Sequence, residues 1–381
     1  MQAGGQRYVY EITKALSKEE YEISFLKVTP MNSDKNWSNE YYYQPTLNLN
    51  CEVYFLEDFF PKSNRKSKKR TFWVRGLRFF FKKFGVDNLL KRDREINLQH
   101  RNKKIDQFIS QFDLVNFSGV SVYNYVSNIE KINVRNAYIH ILSFGFQHKN
   151  MYDGYNKTQY YNFITPVTPD AAKKDLKGFI NYDLTYFPLC FETEPYDILT
   201  REGRDVFEIA IFTRLSSMKP LDPFFYAFKL LLEKGIKAKL NIYGSGDPDA
   251  LGLLKQLDYM YIRSNVIFHG HVESIENTLK DTIPDLIWYQ SANKEPGGYA
   301  AMEIAMSGIP QTFWDFMDIG ESRPIEKTFP SFTNISSFVE FNYALILSPP
   351  KRKELGIMQR EYVLKHYSIK DHIHILEDIF T

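Results

Sequence analysis

Two carboxylates stand eight residues apart in Glu295-Pro-Gly297-Gly298-Tyr299-Ala-Ala-Met-Glu303, followed by Ile-Ala-Met-Ser-Gly308-Ile-Pro310. The glycine pair opens what reads as a helix. The apolar run Pro284-Asp-Leu-Ile-Trp-Tyr289 just before it reads as a buried strand. Strand, glycine turn and helix together aim a helix N-terminus and its amides at an anion. About two helical turns separate the glutamates, which keeps them near one face. One carboxylate then meets a sugar at the loop and the other a ribose beside the phosphates. That chemistry is the holding of a nucleotide sugar.

Further groups of this kind lie upstream. Arg214 and Lys219 follow the strand-like run Val206–Phe212. Cations five residues apart at a strand C-terminus, where α/β sheets place ligands, suit phosphate binding better than a solvated pair would. His140 ends Asn136-Ala-Tyr-Ile-His140, with His148 as a competing histidine. Asp247-Pro-Asp249 has the look of a metal motif but follows the Gly244/Gly246 turn and reads as a helix cap. His269/His271 and His372/His374 alternate without a third ligand nearby, so no metal is assigned.

Apolar strand-like and helical runs alternate along the chain, which is the pattern of α/β domains with parallel sheets. A helix is expected over Tyr8–Leu16, strands over Glu22–Val28 and Cys51–Leu56, and a helix over Lys104–Phe112. Strands follow at Leu114–Phe117, Ala137–Leu142 and Leu184–Leu189. The second half reads as strand Val206–Phe212, helix Pro223–Lys234, strand Lys237–Tyr243, strand Asn265–His269 and strand Leu286–Tyr289. The charged stretch Glu192–Arg204, with Pro195 and Gly203, reads as a hinge. The expected domains are residues 1–195 and 205–362, with a terminal helix over 363–381 crossing back to the first.

With 381 residues, 44% apolar and 25% charged, the chain is long enough for two cores and is not disordered. Its two cysteines, Cys51 and Cys190, form no metal or redox spacing and read as buried thiols of a cytosolic protein. The first residues lack the apolar core of a signal peptide, and no apolar run approaches membrane-spanning length. The expected location is the cytoplasm. A net charge of +2 conceals an asymmetry: Lys62 to Lys104 holds sixteen lysines and arginines against three acids. Within it Trp73, Leu77, Phe80, Phe81 and Phe84 share a helical face, while Arg75, Arg78 and Lys82 share another. Such a segment suits docking on an anionic membrane surface, at the inner face of the plasma membrane; a helix packed on its own domain with a solvated basic edge has the same pattern. Nucleic acid is not expected, because no reader motif accompanies the charge.

Several motifs together resemble retaining GT-B glycosyltransferases, family 4. Phe212-Thr-Arg214-Leu-Ser-Ser-Met-Lys219 is similar to the family's arginine–lysine element that grips the donor diphosphate. Ile242-Tyr-Gly244-Ser-Gly246 and Val266-Ile-Phe-His-Gly270 resemble the turns after the next two strands. Glu295 to Pro310 matches the two-glutamate element and its glycine–proline trailer, and Lys353 to Phe380 is similar to the terminal helices. Gly4-Gly5-Gln6-Arg7 resembles the glycine pair of the first loop, although the strand that precedes that loop in the family has no counterpart ahead of Gly4.

The resemblance implies an α/β fold of GT-B type, two Rossmann-like domains facing across a cleft, with donor in the second and acceptor in the first. It implies sugar transfer with retained anomeric configuration, by front-face attack without a protein nucleophile. Glu295, His140, Arg214 and Lys219 become the catalytic group; Glu303, Gly297, Gly298, Tyr299, Gly244, Gly4 and Gly5 become the nucleotide-sugar contacts. The donor is a UDP- or GDP-sugar, with no cofactor and no metal required. The acceptor is a saccharide, lipid-linked or protein hydroxyl. Two departures alter the element: Thr213 stands where the family has glycine, and Pro296-Gly297 replaces a small-residue–aromatic pair. A non-catalytic GT-B-like binding subunit is the alternative.

Overall fold

A computed structural model of the chain describes residues 4–16, 21–27, 49, 51–55, 104–120, 136–142, 152, 155–166, 169–196, 205–217, 219–291, 298–315 and 328–380. The chain forms two compact units. One is built on residues 5–188 and 372–381, the other on 189–371.

The first unit opens with helix α1 (Gly4–Leu16). Tyr8, Ile12 and Leu16 recur every fourth residue and are all buried, and Arg7 pairs with Glu11 at 3.2 Å across one turn. The helix starts four residues earlier than its apolar stripe suggests. Gly4 and Gly5 form its first turn, and they do not lie in a loop before it. Strands β1 (Ser24–Lys27) and β2 (Glu52–Phe55) pair in parallel. Helix α2 (residues 104–109) leads to β3 (Leu114–Phe117), β4 (Asn136–His140), β5 (Tyr160–Thr165), helix α3 (Pro169–Asp175) and β6 (Asn181–Tyr186). The last four strands form a parallel sheet in the order β3-β4-β5-β6, and among the described residues no strand joins it to β1–β2. Both ladders nevertheless share one core, where Leu26 and Val115 pack on a cluster that includes Phe117, Ile139 and Phe163.

Strand β6 lies three residues earlier than the Leu184–Leu189 expected from the apolar run. Phe187 N–H still reaches Thr165 O at 2.9 Å, but Pro188 has no N–H to extend the ladder. The C-terminal helix His374–Phe380 belongs to this unit: the Tyr138 hydroxyl donates to Ile379 O, and its ring packs on Phe380.

The second unit is a six-stranded parallel sheet. Its elements are β7 (Phe207–Phe212), α4 (Asp222–Glu233), β8 (Ala238–Tyr243), α5 (Leu253–Tyr259), β9 (Val266–Gly270), α6 (Ile275–Thr282), β10 (Leu286–Ser291), α7 (Tyr299–Met306), β11 (Gln311–Asp315), β12 (Ser331–Phe332), α8 (Ile335–Ile346) and α9 (Pro349–His366). The strand order is β12-β11-β10-β7-β8-β9. Near-continuous apolar strands such as Phe207-Glu-Ile-Ala-Ile-Phe212 are those of a sheet covered on both faces. Trp288 is fully buried between Phe224 and Phe338, and its indole N–H donates to Asn342 Oδ1 at 2.8 Å. Thr312 Oγ1 donates to the same oxygen at 2.9 Å, so one buried amide ties β10 and β11 to α8.

The stretch read as a hinge begins inside this unit. Phe191 N–H donates to Tyr367 O at 3.1 Å, and Tyr196 is held by Arg360 Nη2 on its carbonyl at 3.2 Å. Residues 197–204 lie outside the described residues, as do His148 and nearly all of the basic segment from Lys62 to Lys104. Cys51 and Cys190 are buried free thiols.

Candidate active site

Chain order reverses between β7 and β10, which are neighbours in the sheet: the connection from β7 runs toward β8 and β9, and that from β10 toward β11 and β12. Open α/β sheets bind ligands at such a switch point, beyond the strand carboxyl ends. The loop after β7 carries Arg214 and Lys219, and the loop after β10 leads into α7 with Glu303. Residues 292–297, with Glu295 and Gly297, lie outside the described residues.

Arg214 is exposed and Lys219 half-buried. Burial, then the neighbouring Arg214 guanidinium, pushes the Lys219 ammonium below its ordinary value. Two cations are thus held close enough to repel, and among the described residues neither has an acidic partner. An anion is what such a pair lacks. Between them, the buried Ser216 hydroxyl makes no hydrogen bond. Its type and position gave no signal in the sequence; only burial without a partner singles it out.

The loop is shaped from both sides. Thr213 is 2% exposed, and its Oγ1 donates to Gln290 Oε1 at 3.0 Å. Gln290 Nε2 donates to Pro220 O at 2.7 Å, so the side chain at the end of β10 spans the base of the β7 loop. On the other side Thr213 N–H reaches Tyr243 O at 2.9 Å and Leu215 N–H reaches Ser245 O at 2.8 Å. A Cβ on Gly244 would lie 1.7 Å from Thr213 O, and its φ of 147° is open only to glycine. Gly244 therefore serves close packing of two loops. Asp247 Oδ1 accepts from Asp249 N–H at 2.9 Å, making a local turn ahead of α5, which starts at Leu253; it does not cap that helix.

Helix α7 begins after Gly298, and no side chain caps it. Its first turn points N–H groups past the end of β10. Tyr299 is buried, its hydroxyl donating to Cys190 O at 3.1 Å and its ring edge-on to Phe191. Glu303, one turn on, is partly exposed. The Tyr196 hydroxyl donates to its carbonyl at 3.2 Å, and burial followed by the Glu303 carboxylate pushes the Tyr196 and Tyr289 phenols upward. Tyr196 and Gln290 are site-shaping residues that sequence spacing did not mark. The glycine–proline trailer packs on α9, where a Cβ on Gly356 would lie 1.9 Å from Gly308 O.

His140 lies in the first unit, 3% exposed at the end of β4. The Tyr8 hydroxyl donates to Nδ1 at 3.1 Å, and Nε2–H donates to Asn116 Oδ1 at 3.2 Å. Burial drives its pKa down to about 3, so the ring is neutral. Gly4 and Gly5 open the helix that Tyr8 anchors there. Among the described residues no histidine, cysteine or carboxylate cluster could hold a metal, and no helix is long and apolar enough to cross a membrane.

The chain is similar throughout its length to HepE of Anabaena, solved with UDP-glucose: 12% identity, all of this chain and 96% of that one, TM-score 0.66. The fold is GT-B. A second GT-B structure, that of a TarM mutant of S. aureus solved with UDP, is 15% identical over 75% of this chain and 59% of its own, at TM-score 0.56. A glycosyltransferase from Rickettsia africae matches at 14% identity, covering all of this chain and 95% of that one, TM-score 0.63. By sequence, the chain is 26% identical over 110 residues to a poly(glycerol-phosphate) alpha-glucosyltransferase of Bacillus subtilis. That match takes in 29% of this chain and only 16% of the relative's length. No protein-family profile matches the chain.

Proposed function

We propose that this protein is a retaining glycosyltransferase of the family-4 type. It moves a sugar from a UDP- or GDP-sugar to a hydroxyl of a saccharide, lipid-linked or protein acceptor, in bacterial glycan, polysaccharide or glycoprotein synthesis. It acts in the cytoplasm or at the inner face of the plasma membrane. The observation that carries this reading is the cation pair Arg214–Lys219, without an acidic partner among the described residues, at the switch point beside an uncapped helix. The presence of UDP or UDP-glucose in solved GT-B structures of similar fold favours uridine as the base.

In this reaction the bond between the sugar's anomeric carbon and the diphosphate oxygen breaks as a bond to the acceptor oxygen forms on the same face. The acceptor's proton passes to the departing diphosphate. Negative charge grows on that leaving group, so Arg214, Lys219, the Ser216 hydroxyl and the α7 amides stabilise the transition state more than the ground state. Glu303 takes the ribose hydroxyls and Glu295 the donor sugar. Tyr299 and Gly244 act by holding Gly298 and the β7 loop in place. In this reading His140, a neutral imidazole, reaches the donor sugar only by exchanging its bond to Asn116 or Tyr8, and Gly4 and Gly5 contribute first-turn amides. No metal enters the step.

Thermal unfolding with millimolar UDP, GDP and their sugars tests the reading. A shift with one nucleotide that Glu303→Ala abolishes is expected. No shift with any of them would leave a GT-B-shaped binding subunit instead.

A further inference from the structure

Helix α7 carries Glu303 but does not close its own C-terminal end. In an unbroken α-helix Ser307 N–H would reach Glu303 O, and residue 310 would serve Met306 O. Residue 310 is a proline and has no N–H to give. The last turn tightens instead. Ser307 N–H donates to Ile304 O and Gly308 N–H to Ala305 O, both at 3.0 Å, and Ile309 N–H donates to Ser307 Oγ at 3.1 Å. Tyr196, 107 residues before Glu303, supplies the two donors that this turn lacks. Its phenol donates to Glu303 O at 3.2 Å and its N–H to Met306 O at 3.4 Å. Three helices hold the segment that ends at Tyr196. Arg360 Nη2 on α9 donates to the Tyr196 carbonyl at 3.2 Å, the Lys280 ammonium on α6 lies 5.3 Å from its ring centroid, and the Tyr299 hydroxyl on α7 donates to Cys190 O at 3.1 Å. Burial, then the Glu303 and Glu276 carboxylates, push the Tyr196 phenol upward, so it keeps its proton and stays a donor.

We infer that Tyr196 is the positioning residue for Glu303, and that it sets the protein's preference for a nucleotide with both ribose hydroxyls. It acts on the backbone of Glu303. A carbonyl tied to a fixed phenol sets the peptide plane after Glu303 and the rotation of α7 about its axis, and with them the direction in which the carboxylate leaves the helix. A helix of eight residues has little cooperativity of its own to resist that rotation. A carboxylate that accepts from two hydroxyls of one ring depends on such aim. The cations suited to the diphosphate, Arg214 and Lys219, stand on the β7 loop, apart from this tie. That Glu303 faces a ribose rests on the glycosyltransferase reading; the tie to its carbonyl does not.

Tyr196→Phe removes the phenol hydroxyl and keeps the ring and the backbone bonds. The full chain and this variant are titrated by calorimetry with UDP and with its dideoxy analogue, which lacks both ribose hydroxyls. Wild type should prefer UDP by about tenfold, the effect of a hydrogen bond to a charged group. In Tyr196→Phe that preference should shrink to about twofold with affinity for the analogue unchanged, and in a Glu303→Gln background the same substitution should weaken UDP no further. A variant that weakens both ligands alike, or that keeps the full preference, makes Tyr196 merely structural and overturns the inference. A wild type that binds both ligands equally also overturns it. Hydrogen exchange without nucleotide separates the two readings. Tyr196→Phe should speed exchange in α7 and leave α8 unchanged; unchanged exchange in α7 overturns the tie. If no nucleotide binds wild type while α7 exchange quickens in the variant, the glycosyltransferase reading and the ribose preference fall together, and the positioning of Glu303 stands.

Discussion

Gln290 holds Thr213: the side chain at the end of β10 accepts the threonine hydroxyl at 3.0 Å and donates to Pro220 O at 2.7 Å. The end of β10 is thereby tied to both ends of the β7 loop. The threonine that stands in place of a glycine supplies the donor for the tie. Gln290→Leu leaves a buried hydroxyl and a carbonyl without partners, at a cost of about 1–3 kcal/mol. Chemical denaturation should register that loss. UDP affinity should fall as well, because the Arg214–Lys219 loop loses its anchor; unchanged affinity would separate the tie from the site.

Lys219→Ala should move stability and ligand response in opposite directions. The ammonium is half-buried and repelled by Arg214, so removing it leaves the unliganded protein as stable or more so. A charge-assisted contact to a diphosphate is worth about 1.5–3 kcal/mol, so UDP affinity should drop tenfold or more. Calorimetry and melting curves on one preparation give both numbers.

Ser216→Ala follows the same logic with a smaller amplitude. Its hydroxyl is buried and unpartnered, so its loss costs the unliganded fold nothing in hydrogen bonding. Weaker UDP binding at unchanged or higher melting temperature is expected; an equal loss of both would mark Ser216 as structural.

Gly244→Ala forces a Cβ to within 1.7 Å of Thr213 O at a φ of 147°. Neither backbone can yield without breaking the bonds from Thr213 to Tyr243 and from Leu215 to Ser245. Destabilisation above about 3 kcal/mol is expected, read by urea denaturation.

His140 should leave a signature below neutral pH. Its folded pKa of about 3 lies below the ordinary 6.5, so the unfolded chain binds the extra proton between those values. The stability associated with the neutral ring is whole above pH 6.5 and is lost as pH falls toward 3, by roughly 1.4 kcal/mol per unit. Stability measured against pH for wild type and His140→Gln should diverge in slope across that window. Parallel curves would mean that the imidazole is not buried.

Much of the second unit was legible from residue type and spacing. Buried parallel strands are apolar along their whole length, so Val206–Phe212 and Leu286–Tyr289 stand out from their neighbours. Glycine and the charged groups at strand ends then mark where a phosphate site is expected. The first unit was less legible. Strand β5, Tyr160–Thr165, alternates polar and apolar residues only in part, so the Asn156 turn before it had no clear strand to announce, while β6 was displaced because the apolar run continues past Pro188.

Residue types and their order by themselves determined a parallel α/β chain with cations at one strand end and carboxylates after another, because burial and backbone geometry act on each segment locally. Only the tertiary structure decided that Arg214 and Lys219 repel each other, that the Ser216 hydroxyl is buried without a partner, that Tyr196 bonds to the helix bearing Glu303, and that His140 is neutral. Each depends on how far folding removes a group from water and on which groups it brings near, and for Tyr196 and His140 those groups include ones more than a hundred residues away.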